Sequence, residues 1–114
     1  MSMLYGETVT LVRAPLKVDK YGNTTSERDW TKAERWSYHG LMVQPDGSTE
    51  AVGDRPSVIT GWRLITPKGL DFPALATDHV EWDGLTLAVD GEVGRFKVRG
   101  RLHHVEARLK RVSG

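Results

Sequence analysis

Cysteine is absent from this chain of 114 residues, which excludes both a disulfide framework and a thiolate metal site. Long hydrophobic runs are absent too, since no stretch approaches the roughly 20 apolar residues that a membrane-spanning helix needs. The first residues, MSMLYGETVTLV, lack the basic start and apolar core of a secretory signal. We therefore expect a soluble, unprocessed protein that folds without oxidation.

Motifs of catalysis are missing as well. The sequence has no glycine-rich phosphate loop after a strand, no nucleophile elbow and no HExxH motif. His103 and His104 are consecutive, so a strand would direct them to opposite faces, where they cannot chelate one ion together. We predict no catalytic residue, no cofactor and no metal site, and an enzyme is the least favoured function.

The net charge is only +1, which argues against a general polyanion binder, but the charges are segregated. Every formal charge from Gly69 to Gly94 is negative, and all but Glu106 are positive from Arg95 to Arg111. Neighbouring strands could neutralise each other within one subunit, or an acidic and a basic flank could pack head to tail around a ring. For the second interpretation the candidate interface charges are Asp78, Glu81, Asp90, Glu92, Arg95, Arg99, Arg101 and Arg108.

Asp83-Gly84 is the clearest turn, because a two-residue type I′ hairpin needs positive φ at both central positions. That turn fixes the register and pairs Val80 with Leu87 on the core face. Alternating apolar residues predict further strands at residues 7–13, 36–44, 57–66 and 103–112. In the strand over 36–44, we expect Tyr38 to lie on the face opposite Leu41.

Residues 14–29 are predicted to be a polar connection with a turn at 19–23, and Ser26 followed by Asp29 could begin a short helix. Residues 45–56, PDGSTEAVGDRP, form the longest irregular segment, and connections of that length tend to be mobile or functional. We predict one all-β domain over residues 1–114, a small β-barrel of about six mostly antiparallel strands, with loop 44–56 projecting between central strands.

Small barrels also bind single-stranded nucleic acid through basic grooves and stacked aromatic rings. The four tryptophans, Trp30, Trp36, Trp62 and Trp82, could stack on bases. Trp62 and Trp82 fall on apolar faces of their strands, so core packing is the preferred interpretation for these two. The nearly neutral charge also argues against this function, which we keep as the alternative of a different class.

Six segments, in order from end to end, resemble the head-to-tail stopper (head-closure) proteins of long-tailed, siphovirus-type bacteriophages, especially those that infect actinobacteria. They are LYGETVTLVR, DKYGNTT, GLMVQP, VITGWRLITP, ATDHVEWDGLTLAVDGEVGR and GRLHHVEARLKRVSG. The chain departs from the family pattern at Phe96-Lys97-Val98-Arg99, where relatives have a longer turn before the Gly-Arg-Leu-His-His run.

The resemblance implies a β-barrel subunit of the virion neck that assembles in the host cytoplasm and performs no catalysis. Its copies would form a ring, six being expected and twelve the alternative, between the portal and head-tail adaptor on one side and the tail terminator and tail tube on the other. Double-stranded DNA would pass through or be retained in the channel without sequence-specific contacts. A tail terminator or another connector component is the alternative within the virion.

The resemblance also places the long loop at the lumen of the ring, where it can close the channel. By position, this gating loop comprises Gln44, Asp46, Gly47, Ser48, Glu50, Gly53, Asp54 and Arg55. Carboxylates that face DNA would repel its phosphates and keep the channel from gripping the genome.

Overall fold

The computed structural model describes residues 5–46, 49–50 and 58–112, and these residues form an all-β structure, as predicted. The strands are β1 Glu7–Arg13, β2 Leu16–Val18, β3 Thr24–Arg28, β4 Glu34–Pro45, β5 Thr49–Glu50, β6 Val58–Ile59, β7 Gly61–Ile65, β8 His79–Trp82, β9 Leu85–Val89, β10 Gly94–Val98 and β11 Arg101–Arg111. A 3₁₀ turn, Trp30–Lys32, precedes β4.

The main sheet has seven strands in the order β10-β11-β7-β4-β1-β8-β9, and β11 also pairs with β9. The described strands β11, β7, β4, β1, β8 and β9 therefore close into an antiparallel ring, in agreement with the predicted small barrel. The long strand β11 allows this closure because β9 pairs with residues 109–111 and β10 pairs with residues 101–106.

The core lies inside this ring, to which each of the six strands contributes an aliphatic side chain that is at most 1% exposed. These residues are Leu11, Leu41, Leu64, Val80, Leu87 and Leu109. Full burial of each such side chain contributes about 1.5–3 kcal/mol. Phe72, from the connection between β7 and β8, is also fully buried, and its ring meets Tyr38 edge-on at 5.1 Å.

The antiparallel pairing gives the barrel two distinct ends. At one end β1 finishes where β4 begins, because Arg13 is paired with Glu34, and the β2–β3 hairpin leaves between them. The connection 66–78 also lies there, since the Thr66 amide donates to the Val105 carbonyl at 3.0 Å. We call this the arm end, because the β10–β11 hairpin also extends from it.

The opposite end, which we call the loop end, carries the Asp83-Gly84 turn and the start of segment 46–57. The Asp46 amide donates to the Gly61 carbonyl at 3.0 Å, next to the end of β11. Asp83 and Gly84 have φ of 50° and 75°, and Val80 pairs with Leu87, so the predicted hairpin is confirmed.

Strand β4 corrects the predicted alternation of Tyr38 and Leu41. The register with β1 shifts between the pairs Val9/Tyr38 and Glu7/Leu41, and Gly40 within the shift has a φ of 77°. This β-bulge inserts one residue, so both Tyr38 and Leu41 pack on the core instead of on opposite faces. The prediction was wrong because it assumed an uninterrupted period of two.

The segment predicted to be a polar connection contains the β2–β3 hairpin, although its turn is where the sequence indicated. Asp19 Oδ1 accepts hydrogen bonds of 2.9 Å from the amides of Tyr21 and Asn23. The helix predicted to begin at Ser26 is wrong, since Ser26 lies in β3. Asp29 instead caps the single 3₁₀ turn by accepting from the Thr31 amide at 3.1 Å.

The strand predicted over residues 57–66 is divided at Thr60. Its first part, β6, pairs with β5 outside the barrel, whereas β7 belongs to the ring.

Candidate functional site

The segment that contains the predicted gating loop is fixed to the barrel at its root. Gln44 lies in β4 opposite Arg63, and the Asp46 carboxylate lies 3.7 Å from Nε of Arg108. Strands β5 and β6 then pair as a short two-stranded ribbon. The Arg111 guanidinium donates to the Ile59 carbonyl at 3.2 Å, which ties the returning strand to β11.

The predicted gating loop lies mostly outside the described residues. Gly47, Ser48, Gly53, Asp54 and Arg55 lie outside the described residues, as does the side chain of Glu50. Their position at the lumen of a ring therefore stays a prediction.

Five of the eight predicted interface charges form ion pairs within the chain, and four of these pairs lie at the surface. The surface pairs are Glu81–Arg35 at 3.2 Å, Asp90–Lys110 at 3.8 Å, Arg108–Asp46 at 3.7 Å and Arg95–Asp71. Each involves partly or largely exposed side chains, and such pairs contribute only about 0–1 kcal/mol. Asp90–Lys110 and Arg95–Asp71 join the acidic block to the basic one, and all four surface pairs do little for stability.

Asp78 was predicted to be a surface charge at a subunit interface, and the structure corrects this. Its side chain is only 1% exposed and pairs with Arg13, with Nη2 of the guanidinium 2.8 Å from Oδ2. The hydrogen bond to Asp78 raises the pKa of Arg13, and Asp78 also accepts from the Leu75 amide at 2.8 Å. Asp78 thus holds the connection 66–78 at the arm end.

Glu92, Arg99 and Arg101 are the remaining predicted interface charges. All three are exposed and have no ion-pair partner among the residues that the structure describes. The two arginines lie at the tip of the β10–β11 hairpin, which we call the basic arm (residues 94–106). These three charges are available for contacts with another molecule.

The basic arm was not predicted as a hairpin. Arg99 and Gly100 have φ of 51° and 76°, so they form a two-residue turn of the type I′ kind between the paired residues Val98 and Arg101. Arginine is an unusual first residue for such a turn, so the sequence did not indicate a turn at this position. The alternation of charged and apolar residues before Gly100 was the pattern that could have revealed strand β10.

The surface of the basic arm combines positive charge with exposed apolar side chains. Phe96 and Val98 are 47% and 54% exposed. A cleft of about 600 Å³ lies between the arm and the turn at Lys68 and Gly69. The Gly69 amide donates to the His103 carbonyl at 2.9 Å. Its lining includes Lys68, Val98, Arg99, Arg101, Leu102 and His103.

The two consecutive histidines contact one another at the base of the basic arm, not on opposite faces as predicted, because the register with β10 shifts between the pairs Phe96/His104 and Lys97/Leu102. His103 Nδ1 lies 2.9 Å from His104 Nδ1, and His104 Nε2 lies 2.8 Å from Glu106 Oε2. The ring of Phe96 stacks on His104 with a centroid distance of 4.7 Å. Within the described ranges, no group of three or more His, Cys, Asp or Glu side chains is arranged to hold a metal ion.

The tryptophans are engaged within the chain. Trp62 is 5% exposed and meets Trp82 edge-on at 6.2 Å, and Trp82 packs against the core, which confirms the preferred interpretation for this pair. Trp30 stacks on His79 at 3.6 Å. Trp36, which is 38% exposed, lies beneath the Arg13 guanidinium. The indoles therefore do not form an open platform for bases.

These features define an antiparallel barrel with a basic, partly apolar hairpin at one end and a long segment at the other. In the part of the chain that the structure covers, no helix is long and apolar enough to cross a membrane. No protein-family model and no curated protein matches the chain.

One solved structure to which the chain is similar is that of the phage-like element PBSX protein xkdH from Bacillus subtilis. The two are 12% identical, the TM-score is 0.49, and the match covers 97% of this chain and 96% of that one. A similarity this weak does not indicate the role of this chain.

Proposed function

We propose that the chain is a structural subunit of a bacteriophage neck, a head-to-tail stopper that forms a ring between the portal side and the tail and helps to retain packaged DNA. The observation that carries this proposal is the resemblance of six sequence segments, in order, to that family. The closed barrel with a long segment at one end has the general form that such a role requires.

The root of segment 46–57 supports a gating role for it. Asp46 and Ile59 are each tied to neighbouring strands of the barrel, so the chain leaves and returns at the loop end. Its sequence carries Asp46, Glu50 and Asp54. In a ring, copies of this segment would meet near the axis, and their carboxylates would repel DNA phosphates instead of binding them.

Inactivation of the gene in its phage tests the role in joining heads to tails. We expect electron micrographs of the lysate to show DNA-filled heads and tails that remain separate, because the connection between them is incomplete. Supply of the intact protein from a plasmid should restore tailed particles. Tailed, DNA-filled particles that form in the absence of the protein would overturn the proposal.

Deletion of residues 46–54 tests the gating role separately. The barrel should keep its circular dichroism spectrum and its cooperative unfolding, because the core residues lie outside the deletion. Filled heads assembled with this variant should lose DNA, which a nuclease-protection assay measures against the same particles with the intact chain. Normal DNA retention would reject the gating role and leave the joining role standing.

The position of the protein in the particle separates a stopper from a tail terminator. Cryo-electron microscopy should place the ring between the portal side and the tail tube for a stopper, and at the head-proximal end of the isolated tail for a terminator. For the alternative of a nucleic-acid-binding barrel, the occupied tryptophan rings are the unfavourable observation. Micromolar binding to single strands with a steep salt dependence would favour that alternative.

A further inference from the structure

We propose that the outer edge of β10, together with the adjoining cleft, binds an extended, carboxylate-rich segment of a partner protein, which adds to the sheet as a further strand. This inference rests on the geometry of the basic arm and does not require the proposed role in the virion.

Strand β10 is the last strand in the order of the main sheet, and its outer side has no neighbouring strand among the described residues. Val98 and Arg101 flank the two-residue turn and form the hydrogen-bonded pair next to it. Because these pairs alternate along an antiparallel ladder, the backbone amides of Lys97 and Arg95 point away from β11. Such free peptide groups are what an added strand pairs with.

Natural edge strands are often protected against unwanted pairing by charged side chains. The lysine and arginines of the basic arm could serve that purpose alone. The same strand, however, exposes Phe96 and Val98 to 47% and 54%, which a protected edge would avoid. An edge that offers peptide groups, cations and apolar side chains together is better suited to a specific partner.

The charge of the site indicates the chemistry of the partner. Lys68, Lys97, Arg99 and Arg101 are all exposed, and none has a carboxylate partner in the part of the chain that is described. Arg99 also adopts a φ of 51°, where asparagine or glycine would be less strained. Strained backbone positions of this kind are concentrated at binding and active sites. Carboxylates on alternate residues of the partner would neutralise these cations.

A peptide fits the site better than other negatively charged molecules do. The phosphodiester backbone of DNA has no N–H group to donate to the outward carbonyls of β10, and no aliphatic side chain to cover the exposed Val98. No described strand of this chain carries more than one Asp or Glu, so none of these strands could offer alternating carboxylates to a second copy. The observations therefore favour a strand from a different protein, with acidic and apolar residues in alternation.

A short blocked peptide of alternating valine and glutamate is a suitable probe, with a valine and lysine peptide of the same length as its control. In nuclear magnetic resonance hydrogen-exchange measurements on the full chain, saturating acidic peptide should slow exchange of the Lys97 and Arg95 amides at least about tenfold. The lysine peptide should have no effect. Unchanged exchange at both amides with the acidic peptide would overturn the proposal.

Backbone methylation of the peptide distinguishes strand addition from attraction between charges. Two versions are made, one methylated on every valine nitrogen and the other on every glutamate nitrogen. Only one set of amides faces β10 in an added strand, so one version should bind at least about tenfold more weakly while the other binds nearly as the parent does. Equal affinity of the two versions would show that no strand is added.

Charge reversal tests the residues themselves. The double variant Lys97→Glu/Arg101→Glu should weaken binding of the acidic peptide at least about tenfold. The matched control, Lys20→Glu/Lys32→Glu, makes the same charge change at other exposed positions and should bind as the unaltered chain does. If the reversed variant does not fold, Lys97→Gln/Arg101→Gln serves instead. Equal losses in the two double variants would overturn the assignment to the basic arm.

Competition and sedimentation experiments distinguish the proposed peptide from duplex DNA and from a second copy of the chain. Duplex DNA that displaces the peptide and binds more tightly, with the same dependence on Lys97 and Arg101, would assign the edge to nucleic acid and overturn the proposal. Self-association in sedimentation that protects the β10 amides without any peptide would assign it to a second copy. Either result would overturn the proposed addition of a strand but not the proposed joining role in the virion, because that role is tested on phage particles.

Discussion

Arg13, the last residue of β1, donates two hydrogen bonds to the buried carboxylate of Asp78, from Nε to Oδ1 at 3.0 Å and from Nη2 to Oδ2 at 2.8 Å. The same Nη2 donates to the Pro73 carbonyl at 2.9 Å. The Arg13 side chain is 37% exposed and that of Asp78 is 1% exposed, so the arginine covers an acid that would otherwise be buried without a counter-charge. One side chain thereby joins the barrel wall to the connection 66–78 at the arm end.

Replacement of Arg13 by methionine should lower the free energy of unfolding by about 2–4 kcal/mol, because it leaves the Asp78 charge buried and uncompensated. Urea denaturation measures the change. Lys17→Met is the control, since Lys17 pairs with Glu27 at 3.6 Å between exposed side chains and should cost less than about 0.5 kcal/mol. Equal effects of the two substitutions would show that the Arg13 contact contributes no more than a surface pair.

Phe72 is the largest of the fully buried side chains, although it comes from an irregular connection. Phe72→Ala should lower the free energy of unfolding by about 3–5 kcal/mol, since truncation leaves a cavity beside Tyr38. Phe72→Leu keeps most of the volume and should cost less than about 1.5 kcal/mol. Thermal unfolding separates the two, and a similar loss for both variants would contradict the cavity explanation.

The parts of the fold that could be predicted from the sequence are those in which the signal is local. Strand β1 has the expected bounds and the β8–β9 hairpin has the expected register, because alternation and the Asp83-Gly84 turn act over a few residues. The closure of the ring is not local. It depends on β11 being long enough to pair with β9 beyond the stretch that pairs with β10.

Single residues account for the largest errors. Gly40 shifts the register of β4, and an isolated glycine in a strand pattern is a recognised sign of a bulge, so this signal was present but unused. Phe72 had no comparable signal, since its burial depends on which end of the barrel the connection covers. The turn at Arg99 was not predicted, because arginine is an unusual residue type at positive φ.

For the candidate site, the sequence revealed where charge lies but not what each charge contacts. The acidic and basic blocks meet where β9 pairs with β11, as the Asp90–Lys110 pair shows. Nothing in the sequence separated the buried Asp78 from the exposed Glu92. Burial depends on the packing of the connection 66–78, which a charge pattern does not encode.

The turn at Arg99 gives a prediction with two opposite effects. Arg99→Asn should raise the free energy of unfolding by about 0.5–1 kcal/mol, because asparagine tolerates a φ of 51° better than arginine. The same change should weaken binding of the acidic peptide, because it removes one of the cations beside the cleft. Arg101→Asn, in the neighbouring strand, is the control and should weaken binding without a gain in stability. A loss of stability in Arg99→Asn would contradict the assignment of the turn.

His79 should make the stability of the protein depend on pH. Its ring stacks on Trp30 at 3.6 Å, and burial lowers its pKa from the ordinary value of 6.5, while the Asp78 charge acts in the opposite direction. Because the folded protein disfavours the protonated form, the unfolded chain binds more protons as the pH falls through about 6.5. The folded state should therefore lose stability from that pH downward until the folded-state pKa is passed.

Thermal unfolding of the intact chain and of His79→Gln, measured between about pH 8 and pH 5, tests this dependence. The midpoint of the intact chain should fall relative to that of the variant as the pH drops below about 6.5, since glutamine takes up no proton. His39→Gln is the control, because His39 is exposed and contacts Thr8 through its ring nitrogen at 3.1 Å. If the His79→Gln curve stays parallel to that of the intact chain, burial of His79 does not set the pH dependence, and the Trp30 stack must accept the protonated ring at no cost.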